Sequence, residues 1–165
     1  MKGTCVRKYI DIILSNIYIL LKKGYNCNQY EIYRKKYDIH PSFIFNGDDI
    51  IFYGDGEIII EENCYIGRNS YIQSVEGCKV FIGRNTSISH HFAAYTTNRN
   101  TTIGLPGRKG DIIIGRDVWI GYRVFIKEGC KIGDNSVIGA HAVVINDIPS
   151  NCIAVGIPAR VIRCK

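Results

Sequence analysis

Isoleucine returns every sixth residue along this chain. From Ile114 the sixth positions read Ile114, Ile120, Ile126, Ile132, Ile138, Val144, and two shorter series run Ile60, Ile66, Ile72 and Ile82, Ile88, Ala94. Ten of these twelve slots are Ile, a phasing that random placement of Ile would not give. Gly follows in six of them: Gly67, Gly83, Gly115, Gly121, Gly133 and Gly139. A period of six suits neither an amphipathic helix nor a simple alternating strand. It suits a parallel β-helix built from hexapeptide repeats, in which each repeat buries its apolar face only by stacking on the next.

The repeat sets needs position by position. The aliphatic first slot points inward. A small residue in the fifth slot also points inward: Ser70, Thr86, Val118, Val124, Ser136, Ala142. Gly, Asn and Asp near the corners tolerate the backbone of a sharp turn. Three hexapeptides per coil place residues eighteen apart on one another, as Ile114 on Ile132 and Ile120 on Ile138. Two breaks interrupt the count. Four residues are inserted around Val75–Cys78, and a Gly-rich, basic stretch over 98–110 leaves the coil as a protruding loop. Insertions on one face of a solenoid often build its binding face.

Composition narrows the function classes. The 165 residues make one domain with a small appendage, and 46% hydrophobic content supports a sizeable core. The net charge of +6 is uneven. Residues 1–40 hold eight Lys/Arg against three Asp/Glu, and residues 41–165 hold thirteen against twelve. The repeat body is nearly neutral and carries no nucleic-acid signature. The seven cysteines include no CxxC pair, so they read as small buried thiols of a reducing compartment rather than a disulfide framework.

Residues 1–41 read as a helical segment and 42–165 as the β-helix. Within the first segment a helix is expected from about Arg7 to Leu21, stopped by Gly24, with a second short one over Tyr30–Tyr37. The apolar run is too short and too interrupted to span a bilayer, and no small-residue cleavage site follows it. Its flanking lysines suit a peripheral contact with an anionic membrane surface. Packing on the β-helix, or capping its end, is the favoured reading of the same helix. Ile44 and Ile50 are expected to begin irregular first turns.

Four histidines are available for acid–base work: His40, His90, His91 and His141. His90 and His91 stand out, because adjacent residues at a coil corner cannot both point into the core, and they lie just before the protruding loop.

The segment Ile114-Gly115-Arg116-Asp117-Val118-Trp119-Ile120-Gly121 resembles the IGxxVWIG signature of hexapeptide-repeat acyltransferases. So do Ile132–Ala140 and the closing run Asp147–Ile162. The match extends over about 42–165 and resembles the sugar and polysaccharide O-acetyltransferase branch. That resemblance implies an all-β, left-handed parallel β-helix with a short N-terminal helical segment. It also implies a homotrimer, with sites between subunits and acetyl-CoA as donor; the cysteine usage suits a cytoplasmic location. A neutral imidazole would take the proton of a sugar hydroxyl as it attacks the thioester, with no covalent acyl-enzyme. Many relatives carry this base where the chain has Arg99. Polysaccharide-type relatives carry a Ser-His pair that matches Ser89-His90, which makes His90 the first candidate base and His91 the second. Family positions for the donor fall on Trp119, Tyr122, Ala140, Arg160 and Arg163, and acceptor positions on Tyr71, Gln73 and Arg99. No metal is expected. N-acetylation of an amino sugar is the runner-up, and a non-catalytic structural solenoid is the alternative of another class. A γ-type carbonic anhydrase would need three separated His ligands, which His90, His91 and His141 do not supply convincingly.

Overall fold

The computed structural model of the chain describes residues 3–98 and 107–164. Three parallel sheets run its length. The first stacks Asp38–Ile39 (β1), Glu57–Ile60 (β4), Lys79–Ile82 (β7), Ile112–Ile114 (β12) and Lys131–Ile132 (β15). The second stacks Ile44–Asn46 (β2), Tyr65–Gly67 (β5), Ser87–Ile88 (β8), Trp119–Ile120 (β13), Val137–Ile138 (β16) and Cys152–Val155 (β18). Arg160–Cys164 (β19) closes it by pairing antiparallel with β18. The third stacks Ile51–Tyr53 (β3), Tyr71–Gln73 (β6), Ala93–Tyr95 (β9), Phe125–Ile126 (β14) and Val143–Val144 (β17). The chain visits the sheets in turn, so each circuit is one coil of a left-handed parallel β-helix, about five coils in all.

The six-residue count explains the packing. Ile114 registers with Ile132, and Ile120 with Ile138, eighteen residues on in each case. Where four residues are inserted, Ile60 registers instead with Ile82. The inward columns Ile60–Ile82–Ile114–Ile132 and Ile66–Ile88–Ile120–Ile138 are wholly buried. Each such side chain removed from water stabilises the coil by roughly 1.5–3 kcal/mol. Buried hydroxyls in the fifth slot are satisfied by corner carbonyls: Ser70 Oγ donates to Gly67 O (2.6 Å) and Thr86 Oγ1 to Gly115 O (2.9 Å). The corners turn through left-handed residues, among them Asn69, His91, Arg123 and His141 with φ of 55–62°. Asn, Asp and His tolerate that conformation better than most side chains.

The larger insertion leaves and re-enters the coil as a two-stranded ribbon, Thr97–Asn98 (β10) against Arg108–Lys109 (β11). Most of the expected loop over 98–110, Arg99 included, lies outside the described residues.

At the N-terminal end the structure differs from the expected two helices. One helix, α1, runs Gly3–Lys36 straight through Gly24. A mid-helix Gly costs only about 1 kcal/mol relative to Ala. Anchors on both sides of it outweigh that: Lys22 Nζ meets Asp49 Oδ2 at 2.7 Å, and Asn26 Nδ2 donates to Asp48 Oδ1 at 3.1 Å. The C-terminal part of α1 covers the first coil. Tyr30 stacks on Phe45 with centroids 4.3 Å apart, and Tyr33 stacks on Phe52 at 5.4 Å. Tyr33 and Tyr37 join the buried core. In that coil Phe45 takes the place aligned with Ile66, while Ile44 is exposed, so the first-turn assignment of Ile44 shifts by one residue. No described helix is long and apolar enough to cross a membrane.

The cysteines also depart from expectation. Cys64, Cys78 and Cys130 are buried thiols, but Cys27 is exposed, and Cys152 and Cys164 form a disulfide between β18 and β19.

Candidate active site

The corner between the second and third sheets gathers the chemistry. Successive coils place on it, in order, Arg68-Asn69, His90-His91, Tyr122-Arg123 and Ala140-His141. Backbone bonds link the rungs: His91 N–H donates to Arg68 O (2.9 Å), Arg123 N–H to His90 O (2.9 Å) and His141 N–H to Tyr122 O (2.7 Å).

The two adjacent histidines are held differently. The His90 ring is half-buried, and its Nδ1 accepts a hydrogen bond from Arg68 N–H at 3.1 Å. A neutral imidazole that accepts at Nδ1 carries its proton on Nε2. Gly67 makes room for this ring; a Cβ built there would fall against Nδ1 and 2.7 Å from the His90 backbone N. His91 is exposed, with its Nε2 3.5 Å from Asn69 Nδ2. Its ring stands edge-on to Tyr122 at 5.2 Å, and Tyr122 meets His141 in the same way at 5.3 Å. The third member of this ladder, His141, is one of the four histidines of the sequence but is not singled out there as a site residue. It occupies the same slot as His91, three residues after the repeat Ile, and that shared slot is the signal that would have found it.

Tyr71 and Gln73 lie on β6 and register with Ala93 and Tyr95 of the next coil. Gln73 also registers with Tyr53, so tyrosines flank it on both sides along the outer surface of the third sheet. Tyr95 in turn packs edge-on against Phe125 at 5.8 Å. Trp119 belongs to a different surface. It stands 58% exposed on the outside of the second sheet, in register with Ser87 and Val137. Arg163 continues that row through Ile153, while Arg160 registers with Val155, beside the Gly139-Ala140 corner. The donor candidates therefore divide into Tyr122, Ala140 and Arg160 along the corner, and Trp119 and Arg163 across the adjoining sheet.

Two of the buried thiols, Cys64 and Cys130, are poor nucleophiles. Burial pushes the Cys64 thiol up, and pushes Cys130 up to about 11, so both stay protonated at neutral pH. A cavity of about 450 Å³ lies elsewhere, against the first sheet, lined by His40, Glu61, Glu62, Arg84 and Arg116 among others. There Glu61 accepts from the Arg84 backbone N–H at 2.8 Å and faces Arg116 Nε at 3.8 Å. Among the described residues no three His, Cys, Asp or Glu side chains are placed to share a metal ion.

Comparison with known proteins agrees with the fold. Residues 111–146 match the family model described as bacterial transferase hexapeptide (six repeats), and residues 57–88 match the hexapeptide repeat of succinyl-transferase. A maltose O-acetyltransferase from Clostridium difficile 630 has a solved structure that superposes with a TM-score of 0.70 at 30% identity, over 82% of this chain and 73% of that one. The chain belongs to the hexapeptide-repeat acyltransferase family, in its sugar O-acetyltransferase branch. Galactoside O-acetyltransferase of Escherichia coli K12 is 42% identical over 110 residues, 61% of this chain and 54% of that protein. A galactoside acetyltransferase solved in complex with coenzyme A superposes with a TM-score of 0.64 at 28% identity, over 84% of this chain and 80% of that one. The hexapeptide-repeat chain spans about half the length of the curated relatives it matches.

Proposed function

We propose that this chain is an acetyl-CoA-dependent acetyltransferase that moves acetyl to a hydroxyl of a sugar or glycan precursor. The observation that carries the reading is the rung holding two imidazoles beside the rung of Tyr122. Family resemblance puts the pantetheine arm along Tyr122 and Ala140, with Arg160 and Arg163 toward the phosphates and Trp119 as a wall. An acetyl thioester held that way ends at the histidines.

The hydrogen bond from Arg68 divides the labour. His90, with Nδ1 engaged, offers Nε2–H as a donor to the thioester oxygen as it gains charge. His91, exposed and free of backbone bonds to its ring, takes the hydroxyl proton. The hydroxyl oxygen bonds to the acetyl carbon, the C–S bond breaks, and the proton passes through His91 to the leaving CoA sulfur. This exchanges the roles expected from sequence, which put His90 first as the base. Three copies acting as a homotrimer in the cytoplasm, with the exposed apolar half of α1 against a membrane surface, complete the proposal.

The test is CoA-thiol release from acetyl-CoA across a panel of sugars, amino sugars and nucleotide sugars. His91→Ala is expected to lower kcat by about 10²–10⁴, the usual span of a general base. His90→Ala should also slow transfer, with His90→Gln, which keeps a donor, recovering part of it. Unchanged transfer in both Ala variants would remove the assignment.

A further inference from the structure

We infer that Arg68 selects the acceptor, its guanidinium receiving the carboxylate or phosphate of an anionic sugar. The inference rests on the acetyl-transfer reading for its direction along the corner. Rungs of parallel coils lie about 4.8 Å apart. If the donor arm occupies the rungs of Tyr122 and Ala140, the thioester reaches the histidine rung from that side. The acceptor must then come from the other side, where the next rung is Arg68-Asn69. Tyr71 and Gln73 follow on the same coil, three and five residues after Arg68.

Arg68 is fixed by its backbone and free at its head. Its N–H is donated to His90 Nδ1, and its carbonyl accepts from His91 N–H, so its Cα is tied to both imidazoles. The side chain is exposed, and among the described residues no carboxylate lies within 4.0 Å of its guanidinium. Two carboxylates stand one rung further on, where Asn69 N–H donates to Asp48 O at 3.0 Å. Both are taken by α1: Lys22 holds Asp49 at 2.7 Å and Asn26 holds Asp48 at 3.1 Å. The helix thus engages both acids of the adjacent rung. An exposed guanidinium on a rigid corner is suited to bidentate capture of a carboxylate or phosphate. The other corner arginine, Arg123, lies on the donor side of the histidines.

Titration without acetyl-CoA isolates recognition from catalysis. Glucuronate, galacturonate and glucose 1-phosphate are compared with glucose and galactose, on the parent protein and on Arg68→Gln and Arg68→Lys. The parent should bind at least one anion ten-fold or more tighter than its neutral counterpart, and less tightly as salt rises. Arg68→Gln, which keeps the backbone bonds, should lose about 10–100-fold for the anion and nothing for the neutral sugar. Arg68→Lys should recover part of it, and CoA affinity should stay unchanged in both variants. The uronates and the phosphate tell which anion is meant. No preference for any anion, or an anion preference that survives Arg68→Gln, overturns the inference. Arg68-dependent anion binding with no acetyl transfer to any acceptor would sink the acetyltransferase reading and leave the Arg68 assignment standing.

Discussion

His90 and Gly67 show how a residue here acquires its chemistry from another coil. The two are 23 positions apart in sequence, yet the imidazole occupies the volume that a side chain at 67 would fill. The sequence places His90 and His91 at a corner of the coil, and the structure puts them at the corner between β8 and β9. It does not reveal the tautomer, because the Arg68 N–H that sets it comes from the preceding coil, 22 residues away. Nor does the hexapeptide pattern separate Gly67, where the space is used by a ring, from Gly121, where the neighbour is the Ala140 backbone. Gly67→Ala is therefore expected to act on chemistry as well as stability. Its Cβ would sit 2.7 Å from the His90 N and 2.9 Å from its Cα, so the rung must shift. Overpacking of this kind costs about 1–3 kcal/mol, read as a lower urea midpoint. Acetyl transfer by the folded variant should fall as far as in His90→Ala. A variant with a lowered midpoint and full activity would show that the ring's position is not used.

At the scale of elements, strands were more legible than helices. The strands follow from a local count: Ile at the first slot, a small residue at the fifth, a turn residue between. Helix α1 depends on partners the count does not contain. A stop at Gly24 is reasonable from propensity, but Lys22 and Asn26, just either side, are anchored to Asp49 and Asp48 on the first coil. Tertiary contact overrides the local preference. β19 is a similar case, since Cys152 and Cys164 meet only because the chain reverses after Gly156 and returns antiparallel. Neither cysteine marks that reversal in sequence. The glycine left inside α1 makes a simple test. A Cβ at Gly24 meets nothing within 4 Å, and its φ is not in the left-handed region. Gly24→Ala should stabilise the protein by about 0.5–1 kcal/mol, seen as a raised urea midpoint. A loss of stability would mean that the helix needs a flexible point there.

The whole molecule is a stack whose ends must be closed, and a solenoid's terminal units are where its repeat ceases to predict structure. Phenylalanines replace Ile on the first coil, with Phe45 and Phe52 receiving Tyr30 and Tyr33 from α1. The cap uses only the C-terminal part of the helix. Among the described residues, no hydrogen bond or ion pair joins residues 7–21 to the coil; those contacts begin at Lys22. That half nevertheless exposes Ile10, Ile13, Leu14, Ile17, Leu20 and Leu21, each 47–68% accessible. A contiguous apolar surface of this size marks a contact with something else. Arg7 before it and Lys23 at its end, both exposed, favour an anionic lipid surface as that partner. Removal of residues 1–21 should leave the coil and its cap intact, with a thermal midpoint within a few degrees of the parent, since the core loses no side chain. Binding of coenzyme A should be unchanged for the same reason. Sedimentation with vesicles containing phosphatidylglycerol should be seen for the full chain and lost on truncation. It should weaken as salt rises for the full chain, because the lysine contribution is screened within about 10 Å at 0.1 M salt. Equal sedimentation of both forms would show that the apolar half of α1 is not the membrane contact. A collapse of the midpoint on truncation would mean that residues before Lys22 do hold the cap in place.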